Sequence, residues 1–259
     1  MLTAITRGVS PAIDRCELGF LPRQEIDFGK AAAQHYQYEA CLRDLGVTVV
    51  SLAPEPDLPD SMFVEDPAVV VAEVAVMTRM GAASRRDEFA RLAPVLARYR
   101  PLQWMGEPAT LEGGDVLRVG RTLYVGLSAR SNQAGIEQLL EHLRPFGYCV
   151  QAVPVRGCLH LKSACTCLDG ETLLANRNWF DPAAFQDLRV VDVSPGEPRA
   201  ANVLAIAGTV LVPTAFPRTA ALIERLGWKV RLLDISELMK AEAGLTCSSI
   251  LLETGNGIG

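Results

Sequence analysis

Apolar residues in this chain fall in short β-rich runs. Each run is answered by a second across a tight turn, and then by positions with helical spacing. Four segments share that order: DPAVVVAEVAVMTRM from Asp66, GGDVLRVGRTLYVG from Gly113, LKSACTCLDGETLLAN from Leu161 and ANVLAIAGTVLVPTAF from Ala201. Turns such as Val119-Gly120-Arg121 and Asp169-Gly170 separate the two runs, an Arg-containing turn follows, and a helix closes the unit. Ile136, Leu139, Leu140 and Leu143 carry the 3.6-residue period of one such helix. A fifth unit can be assembled from the chain ends: a first strand in SSILLE at Ser248, a second in LTAITRGVSP at Leu2, and a helix from about Lys30 to Leu45. Joining the ends leaves no isolated edge unit. The fold class expected is therefore α/β, with five ββαβ-type units around a pseudo-fivefold axis. Residues 1–253 are expected to form one domain, with 254–259 (TGNGIG) as a disordered tail.

The register of the repeat aligns residues that carry chemistry. The first strands begin at Glu65-Asp66, Glu112, His160, Asn202 and Cys247, with successive spacings of 46, 48, 42 and 45 residues from Asp66. Five equivalent starts face one another at one end of the axis, so carboxylates, a histidine and a cysteine are expected to converge there. Each has a plain structural reading alone. A free cysteine is commonly a small buried hydrophobe, Gly113-Gly114 after Glu112 could serve a bulge, and Glu65-Asp66-Pro67 could be a polar turn. Their shared register makes a site the better account. His35 and His142 lie in helical segments with ordinary surface spacing, where no special role is expected.

Composition narrows the functional classes. A net charge of −5 without a Lys/Arg run argues against a nucleic-acid partner. No apolar stretch reaches 18 residues, and Ala68 to Met77, broken by Glu73, reads as paired strands, so no membrane span is expected. The N-terminal segment lacks the basic and apolar regions of a signal peptide, which points to the cytoplasm and reduced thiols for the seven cysteines. The Cys165-x-Cys167 pair lacks a second pair at zinc-site spacing and reads as two residues on one strand face. A homodimer is compatible with the composition without being demanded by it.

A Cys/His/acid set suits nucleophilic catalysis: the thiolate attacks, the imidazole moves protons and the acid orients the imidazole. The surplus of carboxylates in LPDSMFVEDP, namely Asp60, Glu65 and Asp66, offers acceptors rather than the donors an oxyanion needs. Acceptors suit a planar, cationic, donor-rich group, and a guanidinium fits.

The segments DSMFVEDPAVV, TRMGAASRR, LEGGDVL, VGLSARSNQAG, LHLKSA and LTCSSILL closely resemble, in order and spacing, the dimethylarginine dimethylaminohydrolases. The resemblance runs from about Leu2 to Glu253. It implies a five-bladed α/β propeller that hydrolyses asymmetric dimethylarginine or monomethylarginine to citrulline and a methylamine, without metal or cofactor. It makes Cys247 the nucleophile, His160 the general acid and base, and Glu112 the acidic member. Glu65 and Asp66 become guanidinium clamps. Asp60, with a backbone carbonyl near Ala241, would hold the α-ammonium, and Arg85 and Arg130 the α-carboxylate. Leu18, in RCELGFLPRQE, falls where the family has a mobile lid. KAEAGLTC departs from the commoner Val/Ile-Asp-Gly before the cysteine, a change expected to affect side-chain selectivity. Two alternatives stay open: an arginine deiminase that releases ammonia, and a non-catalytic receptor that keeps Asp60, Asp66, Arg85 and Arg130 but has no need of the Cys/His pair.

Overall fold

Apolar runs too short to cover a large sheet must pack hairpin against hairpin. The computed structural model, which describes residues 1–254, does this with five three-stranded sheets. Blade one comprises Ala68–Val70, Ala75–Met77 and Leu102–Trp104. Blade two has Val116–Val119, Thr122–Leu127 and Cys149–Pro154. Blade three has Cys165–Cys167, Thr172–Ala175 and Arg189–Asp192, and blade four has Leu204–Ile206, Thr209–Pro213 and Lys229–Leu233. Blade five joins the two ends of the chain: Ile250–Glu253, Leu2–Arg7 and Thr48–Leu52. In every blade the second strand is central, antiparallel to the first and parallel to the third. A parallel partner requires a crossover, which places the connecting segments on the outside of the ring.

Burial follows from this topology. Central strands such as Thr209–Pro213 and Thr172–Ala175 are buried along their whole length, so they read as continuous apolar runs rather than alternating ones. Outer strands such as Arg189–Asp192 are half exposed. Five hydrophobic clusters form the core, and each joins neighbouring blades. Ile5 and Ile250 meet Ala75 and Met77 between blades five and one, and Val76 meets Leu123 and Val125 between one and two. Leu117 and Tyr124 pack with Leu173 between two and three, and Leu174 with Val210 and Val212 between three and four. Ala4 and the helix of blade five meet Leu204 and Leu211 to close the ring. The fold is the five-bladed α/β propeller. Among the described residues, no helix is long and apolar enough to cross a membrane.

Local differences from the sequence pattern have identifiable causes. The blade-five helix spans Phe28–Asp44, starting earlier than Lys30 because the Asp27 carboxylate caps the Lys30 N–H. Its buried stripe includes Gln34, His35, Tyr38 and Leu42. His35 is therefore core and not surface, stacked on Tyr38 and 3.4 Å from Glu39. Leu161–Ala164 forms one helical turn, so the blade-three strand begins only at Cys165. That blade has no α-helix in its crossover, only 3-10 turns at Arg177–Trp179 and Pro182–Phe185. Asn176 and Asp181 cap the N–H groups of Asn178 and Ala183 and divide the segment, while buried Phe180 and Phe185 pack edge to face. In blade one the helix is the single turn Ala93–Leu96. Thr254 exchanges backbone hydrogen bonds with Met1, and residues 255–259, the rest of the expected tail, lie outside the described residues.

Candidate active site

The five strand starts meet at one end of the axis. Glu65 and Asp66 occupy the turn before Ala68, and Glu112 precedes the 3-10 turn Gly113–Asp115. His160 caps the turn Leu161–Ala164, Asn202 precedes Leu204, and Cys247 sits in the 3-10 turn Thr246–Ser248. One cavity is lined by Asp60, Glu65, Asp66, Arg85, Arg130, His160, Ala241 and Cys247. Two expected residues do not line it. Glu112 lies fully buried behind His160, and Leu18 packs on the hydrophobic cluster between blades four and five. The cavity measures only about 20 Å³, little more than one water needs. An arginine-sized ligand therefore requires the segment over it to move.

His160 Nε2 lies 2.7 Å from Glu112 Oε2, which leaves Nδ1, above Gly114, for a reacting group. Burial opposes a charge on this imidazole. The nearby Asp66, Glu112 and Asp115 carboxylates outweigh it and raise the pKa to about 9. Burial likewise opposes ionisation of Glu112, but the hydrogen bond to His160 and the Arg85 and Arg130 charges hold it well below the usual carboxylate range. At neutral pH the pair is imidazolium and carboxylate. The Cys247 thiol is pushed the other way, to about 12, first by burial and then by Glu65 and Asp66. The Gly244 N–H, 3.5 Å from Sγ, and Lys162 only partly offset this. The resting thiol is neutral, in a site that favours an incoming cation.

Every carboxylate has supporting partners. Asp66 accepts from the Gly114 N–H and from Arg85 Nη1, both at 2.9 Å. Glu65 is paired with Lys162 and accepts the Thr246 hydroxyl at 2.9 Å. Burial raises the pKa of Glu65 and of Asp60, against the pull of Lys162 and Arg85 respectively. Arg85 is held by Glu88 through Nε and Nη2, at 2.8 and 2.9 Å, and Arg130 Nη1 lies 3.3 Å from Glu112. Both arginines thus border the cavity, Arg85 paired to Asp66 within it and to Glu88 behind it, and Arg130 to Glu112 behind His160.

Glycines permit two close approaches. A Cβ on Gly114 would lie 2.4 Å from His160 Nδ1, and one on Gly244 would lie 2.1 Å from Asn202. Asn202 was legible only as the blade-four member of the register. It braces the turn that carries Cys247, accepting the Thr246 N–H at 3.1 Å and donating to the Thr246 hydroxyl at 3.2 Å. Lys162, Glu88 and Glu242 were not anticipated. Lys162 stands two residues after His160, while the other two had no sequence signal.

The segment over the cavity is fastened on both sides. Asp60 accepts the Glu17 N–H at 3.0 Å, and the Glu242 carboxylate accepts the N–H groups of Gly19 (2.9 Å), Phe20 and Leu21. Glu242 has a left-handed backbone, φ +59°, which costs a non-glycine residue about 1 kcal/mol.

A family model described as arginine deiminase matches residues 55–198. The N(G),N(G)-dimethylarginine dimethylaminohydrolase of Streptomyces coelicolor is 39% identical over 252 residues, 96% of each chain. The chain belongs to the dimethylarginine dimethylaminohydrolase family. Solved structures agree with this family assignment. A Pseudomonas aeruginosa dimethylarginine dimethylaminohydrolase, a Cys-to-Ser mutant complexed with citrulline, superposes with TM-score 0.92 at 32% identity, covering 96% of this chain and 98% of its own. A dimethylarginine dimethylaminohydrolase His-to-Gly mutant, as an adduct with S-methyl-L-thiocitrulline, gives TM-score 0.91 at 32% identity, covering 96% of this chain and 99% of its own.

Proposed function

We propose that this protein hydrolyses asymmetric dimethylarginine and monomethylarginine to citrulline and dimethylamine or methylamine, through a covalent intermediate on Cys247. The observation that carries the reading is the joining, around one cavity, of a neutral thiol, an imidazolium backed by a buried carboxylate, and two carboxylates able to bind a guanidinium. The family relationship and the citrulline and thiocitrulline complexes of relatives support it. Because all five blades supply the site, residues 1–253 act as one catalytic unit.

In the proposed sequence, Glu65 and Asp66 hold the cation, Asp60 and the Ala241 carbonyl the α-ammonium, and Arg85 and Arg130 the α-carboxylate. Leu18 belongs to the closing segment. The bound cation stabilises the thiolate, whose proton leaves to solvent. Sulfur adds to the guanidinium carbon, and His160, already protonated, gives its Nδ1 proton to the departing amine as the C–N bond breaks. Glu112 keeps the ring oriented. Neutral His160 then takes a proton from water as its oxygen bonds to the S-alkylthiouronium carbon. Cleavage of the C–S bond, with loss of the hydroxyl proton to solvent, releases citrulline and leaves the thiolate, which takes a proton from solvent to return to the neutral resting thiol.

The test is to supply asymmetric dimethylarginine and, separately, arginine, and to measure citrulline, dimethylamine and ammonia, with Cys247→Ser as control. Citrulline and dimethylamine from the methylated substrate, lost in the variant, is the expected result. Ammonia from arginine would favour a deiminase. Stoichiometric binding without turnover would favour a receptor.

A further inference from the structure

Beside the active site lies a second, larger chamber of about 180 Å³, outside the reaction just described. Leu159, Ser163, Asn202, Glu242 and Ala243 line both spaces, so the two adjoin. Beyond that shared wall the lining is mainly apolar, with Trp179, Pro213, Phe216 and Met239 roofed by Phe20 and Leu21 of the closing segment, and Arg199 is its charged member.

The pseudo-fivefold arrangement fixes which part of a ligand meets this chamber. The guanidinium clamps Glu65 and Asp66 belong to blade one, and the point across the axis from blade one is the gap between blades three and four. The chamber occupies that gap. It is reached beside Leu159, next to His160, and beside Gly244, which donates to the Cys247 sulfur. A guanidinium nitrogen turned from the clamps towards His160 carries its substituent into this space. Resting on the reading of the site given above, we propose that the chamber is a specificity pocket for an apolar Nω-substituent longer than methyl. The substrate class then extends to Nω-alkylarginines of three or four carbons, whose alkylamine is the leaving group. The bonds made and broken are those of the methylated case, with the proton again supplied by His160. Trp179, Phe216 and Met239 set the permitted length.

The experiment is a series of Nω-methyl-, ethyl-, propyl- and butyl-L-arginine assayed by citrulline formation. It is paired with protection of Cys247 from iodoacetamide by each compound. Each methylene entering an apolar pocket is worth about a fourfold gain. Accordingly kcat/KM and protection are expected to rise from methyl to butyl by at least tenfold in the wild type. Met239→Trp, which fills the chamber, is expected to abolish that rise while leaving asymmetric dimethylarginine turnover within about twofold. Trp179→Ala, which removes a wall, is expected to reduce the butyl preference by about tenfold and serves if Met239→Trp does not fold. A flat or falling series in the wild type, or a rise that survives both variants, overturns the proposal. If no compound is turned over yet protection still rises with chain length and is lost in the variants, the chamber stands and the hydrolase reading fails.

Discussion

The resting charge of Cys247 is set first by burial and then by its acidic neighbours, and replacing Glu65 by Gln tests the second cause directly. The Glu65 N–H lies 3.4 Å from the Cys247 carbonyl, and the Glu65 carboxylate accepts the hydroxyl of the adjacent Thr246. These contacts put the carboxylate within interaction range of the sulfur, on the order of 6 Å. At an effective dielectric of about 20, one charge at that range is worth about 3 kcal/mol, or roughly two pKa units. Glu65→Gln should therefore lower the thiol from about 12 to roughly 10, and Lys162, freed of its partner, acts in the same direction. At a fixed pH below both values the thiolate population rises about 100-fold. A less basic thiolate is also a weaker nucleophile, with a Brønsted slope of about 0.5, so the net gain in alkylation rate is about tenfold. The assay is iodoacetamide modification of the Cys247 peptide, followed by mass spectrometry between pH 7 and 10. The wild type should show a rate climbing tenfold per pH unit without a plateau, and the variant a line about tenfold higher that runs parallel up to about pH 9 and flattens towards about pH 10. A wild-type plateau at or below pH 8, or a variant slower than wild type, would refute the reasoning. A guanidinium-bearing ligand that blocks no access to sulfur should also raise the wild-type rate, since the bound cation offsets the same field.

Other expectations follow from the same geometry. The pKa of His160 is raised from 6.5 to about 9, so its stabilising contribution is complete below about 6.5 and is lost as pH rises through about 9. Glu112→Gln should cost about 3 kcal/mol at pH 6 and less at pH 9.5, read from urea midpoints, and a deficit growing with pH would contradict the pairing. Gly114→Ala must displace His160 Nδ1 or Asp66 Oδ1, which a Cβ would approach to 2.4 and 2.8 Å. At least a 100-fold loss in kcat/KM, with an unchanged far-ultraviolet dichroism spectrum, is expected. Glu242→Gly relieves the left-handed backbone but removes the acceptor of three N–H groups. Amide exchange at Gly19, Phe20 and Leu21 should accelerate about tenfold or more, and unchanged exchange would show that Glu242 does not fasten the segment.

Much of this molecule is legible in one dimension, because a five-unit repeat writes its hydrophobic period and its strand starts into the sequence. The hairpins, the pairing of the chain ends in blade five and the convergence of Asp66, Glu112, His160, Asn202 and Cys247 depend only on alternation, turn chemistry and register, which are local properties. The tertiary structure decided the rest. Leu161–Ala164 became a helical turn behind His160, and the blade-three crossover lost its helix because capping by Asn176 and Asp181 and the Phe180–Phe185 contact outweighed helical spacing. His35 moved into the core because the face a helix buries is chosen by what packs on it. Glu242 fastens Gly19–Leu21 across 223 residues, and Lys162 reaches Glu65 across 97. No pattern along the chain records such pairings, since they arise only when the ring closes and brings one blade's loop over another's. The charge states of Cys247 and His160 belong to that same class, because burial and the field of distant carboxylates exist only in the folded ring.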